Sequence, residues 1–319
     1  MDLLEIAGLS TGFPAAAGFV KAVDNLDLRV RKGRVLGLVG ESGCGKTITA
    51  LSVLNLVPPP GRILSGRILF EGTDLLSLPA EEMRKIRGSR ISMVFQEPMT
   101  ALNPVFTIGN QIGEVLTTHL VLSKKDALDQ AVGLLRSVEI PSPEKRVHEY
   151  PHQLSGGMRQ RIVIAMAIAC KPSLILADEP TTALDVTIQA HILELLSQIQ
   201  SEMGMAMVLV THDLGLIAER AHEVAVMYAG RIVEQADTPD LFREPLHPYT
   251  RGLLASLPRP GGSKRSRLLT ISGSVPQLSD LPEGCRFSPR CDLRGEECSR
   301  EPELVEAGPG HFVRCWKAK

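Results

Sequence analysis

"VLGLVGESGCGKT", residues 35–47, decides the fold. The first five residues are the short apolar run of a buried strand. The loop Gly40–Thr47 follows with the spacing Gly-x4-Gly-Lys-Thr, and ITALSVLNL then opens with helical spacing. In that strand–loop–helix order, glycines let the backbone wrap phosphate oxygens while several N–H groups and a helix N-terminus point at the anion. Lys46 is placed to reach terminal phosphates and the Thr47 hydroxyl suits Mg²⁺. Gly40, Glu41, Ser42, Gly43, Cys44, Gly45, Lys46 and Thr47 are therefore the candidate nucleotide-binding loop. If Cys44 is exposed in the empty loop, a thiol reagent should block nucleotide binding.

Further Val-, Ile- and Leu-rich runs lie downstream: ISMVF (91–95), SLILA (173–177) and MVLV (207–210), separated by helical patterns. This alternation predicts an α/β fold with a buried, mostly parallel sheet. Ahead of it LLEIAGL and LDLRV read as antiparallel strands. VAVMYAGRIVEQ reads as a hairpin turning at Ala229 and Gly230. Between about 105 and 150 only helical spacing is present, as in Ile108, Ile112, Val115 and Leu116, which predicts a helical insertion. PRPGGSKRSR (258–267) has linker composition with a basic run at Arg259, Lys264, Arg265 and Arg267.

Composition narrows the functional classes. The 35 basic and 36 acidic residues nearly cancel, which excludes a surface built wholly for nucleic acid. MDLLEIAGLS lacks the charged start and apolar core of a secretory signal, and no apolar run approaches the roughly 20 residues that span a bilayer. The chain is expected to be intracellular.

Two more motifs carry chemistry. LILADEP delivers Asp178 and Glu179 at the C-terminal end of an apolar strand, where open α/β sheets bind ligands. Asp178 is suited to the Mg²⁺ shell and Glu179 to polarising an attacking water. LSGGMRQR (154–161) sets Ser155, Gly156 and Gly157 at a helix start, a second anion site or else an ordinary cap. One nucleotide does not need two such sites from one chain, which points to a dimer whose subunits complete each other's sites.

In order, the loop 40–47, VFQEP, LSGGM, LILADE, TTALD and VTHD resemble the ATPase subunit of ABC transporters over roughly residues 3–240. The resemblance implies that Gln96 links Mg²⁺ and water to the transporter interface, that Asp185 ends the loop touching the partner subunit, and that His212 contacts the γ-phosphate. Catalytic roles thus fall to Glu179, His212 and Gln96, with Thr47, Gln96 and Asp178 on Mg²⁺. It also implies an adenine-stacking aromatic ahead of the phosphate loop; Phe13 is the first candidate and Phe19 the second.

NPVFTIGNQIGE, YPHQLSGGM and PLHPYTRGLLASLP (245–258) resemble the branch that takes up dipeptides, oligopeptides and nickel, and this chain looks most like the first of its two ATPases. The expected domains are an ATPase domain, 1–245, with a helical subdomain at about 97–160, and a C-terminal extension, 246–319. The implied partners are a second homologous ATPase, two membrane permeases and an extracytoplasmic binding protein, with no nucleic acid. The implied location is the cytoplasmic face of the inner membrane.

The extension raises a separate question, because Cys285, Cys291, Cys298 and Cys315 crowd into it around "GCRFSPRC" (284–291). The spacing C-x5-C-x6-C-x16-C lacks the Cys-x2-Cys knuckles of structural zinc sites. Four thiolates suit a [4Fe–4S] cluster, with Zn²⁺ as the alternative and His311 as a substitute for the fourth cysteine. Irregular spacing and the resemblance favour the cluster, in a structural or sensing role.

Overall fold

The run VLGLV is a strand buried along its whole length, and the elements before and after it build two units. The computed structural model describes residues 2–16, 18–182, 184–257 and 271–318, apart from the side chains of Pro98 and Met99. The basic stretch Arg259, Lys264, Arg265 and Arg267 lies outside the described residues.

The first unit comprises residues 1–76 and 209–319. It opens with β1 (Asp2–Ala15) and β2 (Gly18–Arg31), followed by β3 (Val35–Val39) and helix α1 (Lys46–Val53). β4 (Arg62–Phe70) and the short β5 (Thr73–Asp74) close the segment. β2, β1, β4 and β5 form an antiparallel sheet in that order. In β2 the stretch from Leu26 to Arg31 alternates buried and exposed residues, as a strand with one wet face requires.

The second unit, residues 77–208, carries the helical insertion. After α2 (Ala80–Ile86) and β6 (Ile91–Val94) come α3 (Pro98–Ala101), α4 (Ile108–Leu120), α5 (Lys124–Ser137), α6 (Pro143–Arg146) and α7 (Gly156–Ile168). Thr107 and Ser123 cap α4 and α5 by accepting from the N–H groups of Asn110 and Asp126. Ile108, Ile112 and Leu116 on α4, with Ala131 and Leu135 on α5, are buried, so the predicted spacing marks the packed faces. β7 (Leu174–Asp178) pairs in parallel with β6, and α8 (Val186–Met203) follows. The chain returns to the first unit through β8 (Ala206–Thr211), whose residues are all buried.

Back in the first unit, α9 (Leu214–Arg220) leads to β9 (Glu223–Tyr228) and β10 (Arg231–Asp237), an antiparallel hairpin. Its turn is at Ala229 and Gly230, both with positive φ. β9 pairs in parallel with β3. Then come α10 (Thr238–Arg243), α11 (Pro248–Ala255), β11 (Val305–Gly308) and β12 (His311–Val313). β12 adds to β10 and β11 to β12, so the C-terminal segment extends this unit's sheet. The alternating pattern did not announce β4, β11 or β12. β4 is largely exposed or half-buried, and the last two are only 4 and 3 residues long.

A buried carboxylate ties this segment down. Glu234 on β10 is 0% exposed and accepts from Leu246 N–H at 2.7 Å, from His247 N–H at 2.9 Å and from His311 Nε2 at 2.8 Å. His247 is buried and its pKa is pushed down to about 3, first by burial and then by Arg251, so its neutral ring accepts from Tyr249 N–H. Replacing Glu234 by Ala strands buried donors, and such losses cost about 2–5 kcal/mol. Glu234→Ala should therefore lower the thermal midpoint by roughly 5–10 °C, more than Glu234→Gln, by calorimetry of the full chain. An unchanged midpoint would show that this strut is dispensable.

Candidate functional site

The phosphate loop is shaped by two backbone approaches that leave no room for a side chain. At Gly40 (φ 156°) a Cβ would lie 2.2 Å from the Met227 carbonyl oxygen, and at Gly45 (φ 109°) it would lie 2.3 Å from that of Ala22. Both supports belong to the first unit, which also donates Gly230 N–H to the Cys44 carbonyl at 2.8 Å. Gly45 is the N-terminal cap position of α1, so the loop runs straight into a helix whose first N–H groups face forward. Lys46 is 5% exposed; its Nζ donates to the carbonyls of Gly40 (2.7 Å) and Glu41 (3.1 Å). The ammonium therefore sits on its own loop, while Ser42, Gly43 and Thr47 are exposed.

Cys44 does not meet the condition on which its reactivity was expected. It is 1% exposed, its sulfur lies 3.8 Å from Lys46 Nζ, and burial raises its thiol against the opposing Lys46 charge. In this state the thiol is therefore shielded from reagents.

The acidic pair lies in the second unit. Asp178 closes β7 and is 1% exposed, and Glu179 follows with a left-handed φ of 42°. That turn aims the Glu179 carboxylate at two donors: Gln96 Nε2 and the Thr182 hydroxyl both reach Oε2 at 2.9 Å. Gln96, Glu179 and Thr182 thus form one hydrogen-bonded set, of which Thr182 had no individual signal in the sequence. Ser155 caps α7 by accepting from Met158 N–H at 3.4 Å, and Asp185 caps α8 by accepting from Ile188 N–H at 2.9 Å. Gly157 passes close to α8, where an added Cβ would meet Ile188 at 3.0 Å. Gly156 is exposed beside it.

The other sequence candidates lie in the first unit. His212 is exposed just before Asp213, which caps α9 by accepting from Gly215 and Leu216 N–H. Phe13 is half-buried against Gly61, where a Cβ would sit 2.5 Å from its ring. Phe19 is exposed and carries the Arg62 guanidinium 4.4 Å above its ring centre.

The C-terminal cysteines were read as the ligands of a metal centre. Among the described residues no group of three or more His, Cys, Asp or Glu side chains is arranged to hold a metal ion. Cys285, Cys291, Cys298 and Cys315 are free thiols, with Cys298 buried. Burial, then mutual repulsion with neighbouring cysteines, lifts the Cys285 thiol to about 11 and raises Cys291 and Cys315 as well. Cys298 and Cys315 act electrostatically on both Cys285 and Cys291, so the four thiols are neighbours in space. His311 is engaged by Glu234.

The same motif reaches the phosphate loop. Arg290 grips the Glu41 carboxylate with both Nη atoms, at 2.7 and 3.0 Å. Glu41 N–H donates to the Tyr249 hydroxyl at 2.9 Å. Arg286 donates to the Ala229 carbonyl and to Asp24 Oδ2, and Arg231 donates to the same Asp24 oxygen at 2.7 Å. Burial alone would raise Asp24, but hydrogen bonds from Lys21 and Arg231 and the charges of Arg231 and Arg286 hold it well below the usual carboxylate range. Phe287 packs edge-on to Tyr228 (5.2 Å between centres) and near Tyr249 (5.4 Å). Arg290 and Tyr249 had no signal in the sequence that pointed to Glu41, because no local pattern links positions so far apart.

A glycine-shaped phosphate loop, together with this fold, defines an ATPase of the ATP-binding cassette class. Residues 23–182 match the family model described as ABC transporter, and residues 233–298 match the oligopeptide/dipeptide transporter C-terminal region. The dipeptide transport ATP-binding protein DppD of Haemophilus influenzae is 50% identical over 316 residues, covering 99% of this chain and 95% of that protein. The oligopeptide transport ATP-binding protein AppD of Bacillus subtilis is 50% identical, covering 98% and 96%. The dimeric structure of the ATP-binding cassette MJ0796 bound to ADP and Pi superposes with a TM-score of 0.66 at 26% identity, covering 74% of this chain and 98% of that one. The chain belongs to the ABC transporter family and carries the C-terminal region of its oligopeptide/dipeptide branch.

Its buried thiol yields a direct check on the loop. In the nucleotide-free, folded chain Cys44 should react with N-ethylmaleimide far more slowly than in the denatured chain, read by mass spectrometry of the peptide. Equal rates would contradict the buried loop conformation.

Proposed function

We propose that this chain is the ATP-hydrolysing subunit of an importer for di- or oligopeptides, working at the cytoplasmic face of the membrane. The observation that carries the cargo class is the match of residues 233–298 to the oligopeptide/dipeptide transporter C-terminal region. The printed names of the relatives, dipeptide and oligopeptide transport ATP-binding proteins, support it. No described helix is long and apolar enough to cross a membrane, so passage of solute would fall to separate permeases. In this reading the partners are two permeases, an extracytoplasmic binding protein and a second homologous ATPase. Residues 1–245 serve as the ATPase domain and 246–319 as its extension.

In this proposal Gly40–Thr47 hold the phosphates, with backbone N–H groups meeting the anion and Lys46 moving from the loop carbonyls to the terminal phosphates. Hard oxygen donors suit Mg²⁺, which the Thr47 hydroxyl and the buried Asp178 carboxylate would hold with Gln96. Bound there, the ion would neutralise charge on the phosphates. Glu179 orients and polarises water, and its hydrogen bond from Gln96 makes its basicity sensitive to the position of Gln96. His212 contacts the γ-phosphate and Phe13 stacks on adenine. Ser155, Gly156, Gly157 and Asp185 meet the nucleotide held by the second ATPase; this requires Ser155 to share its acceptor role at Met158 N–H with a ligand contact.

Two substitutions separate binding from chemistry. Glu179→Gln should keep MgATP binding yet lower ATP turnover by about 10²-fold or more, whereas Lys46→Ala should lose binding itself. Both are read in the reconstituted complex by phosphate release and nucleotide titration. Stimulation of turnover by di- or oligopeptides presented on the binding protein tests the cargo, and a complex that answers only to nickel would overturn it.

A further inference from the structure

Glu41 is the one acidic residue in the loop GESGCGKT, beside the place where a polyanion binds. A carboxylate there opposes its own ligand unless its charge is masked. The structure supplies the mask from the far end of the chain. Arg290 lies 249 residues away, its side chain is 4% exposed, and it meets Glu41 through two parallel N–H···O bonds. Those bonds, before other causes, raise the already high pKa of the guanidinium, so its charge is permanent. Arg290 is itself held: Nε donates to the Ser272 carbonyl at 3.0 Å, and the guanidinium carbon lies 5.9 Å from the centre of the Tyr228 ring. Tyr249 fixes the backbone N–H of the same Glu41.

We propose that Arg290 is a positioning residue of the nucleotide site, neutralising Glu41 and fixing its place so that the loop meets triphosphate pre-shaped and without an opposing charge. The inference rests on Gly40–Thr47 being the ATP-phosphate loop. It gives the arginines of GCRFSPRC a task distinct from metal binding: Arg286 anchors the motif to Asp24 and the Ala229 turn, and Arg290 delivers the charge. Pre-organisation and charge masking both act on affinity more than on the hydrolytic step.

The test is MgATP and MgADP binding by the full-length chain, measured by titration calorimetry. Arg290→Ala should weaken MgATP on the order of tenfold, and MgADP by less because it carries fewer charges. Adding Glu41→Gln to that variant should restore MgATP affinity to within about threefold of the parent, since the unmasked charge is then gone. Arg290→Lys should fall between, keeping the charge but losing the fork. If Arg290→Ala does not fold, as judged by circular dichroism, Arg290→Lys with and without Glu41→Gln gives the same comparison. Unchanged affinity in Arg290→Ala, or no recovery in the double variant, would overturn the proposal. Lys46→Ala is the separating control: its binding MgATP like the parent would sink the phosphate-loop reading itself, whereas its failure to bind beside an unaffected Arg290→Ala would sink only the role of Arg290.

Discussion

A phosphate loop works because its amide N–H groups point into the space the anion will occupy, and that demands a backbone path most residues cannot follow. Here the path is set by two carbonyl oxygens, those of Met227 and Ala22, which approach the loop so closely that only glycine fits at positions 40 and 45. Those oxygens belong to β9 and β2, so the sheets of the first unit act as a mould for the loop. Gly230, in the turn of the β9–β10 hairpin, adds a hydrogen bond to Cys44. Packing of ordinary strands thus becomes geometry at a binding site, through distances tighter than van der Waals contact would allow any Cβ.

Much of this was legible beforehand, for a physical reason. Strands buried on both faces are written as unbroken apolar runs, and VLGLV, ISMV and the heart of the eighth strand fall where such runs stand. The turn at Ala229–Gly230 and the helical spacing of Ile108, Ile112 and Leu116 were equally readable, since each depends on neighbours in the chain. The phosphate loop and the acidic pair were visible as motifs, because their chemistry fixes spacing as well as residue type. Partly wet elements such as β4, and strands of three or four residues, leave no comparable trace.

The cysteine-bearing motif shows what a sequence pattern leaves out. Their number and clustering invited a metal centre, and Cys298 and Cys315 do lie near both Cys285 and Cys291. In the structure burial raises three of the thiols, while the charged residues between Cys285 and Cys291 carry the long-range contacts. Arg286 and Arg290 lie four apart, with Phe287 filling the aromatic cluster beside them. The cysteines drew the eye to a motif whose contacts with the rest of the unit run through its other side chains.

The bond between Arg290 and Glu41 also has a consequence in time. Arg290 leaves the ribosome 249 residues after Glu41. While those residues are being made, the loop's carboxylate therefore stands without its counter-charge. Closing a contact 249 residues apart is a late, entropically costly step that waits on everything between. A chain cut anywhere before Arg290 lacks the partner of Glu41.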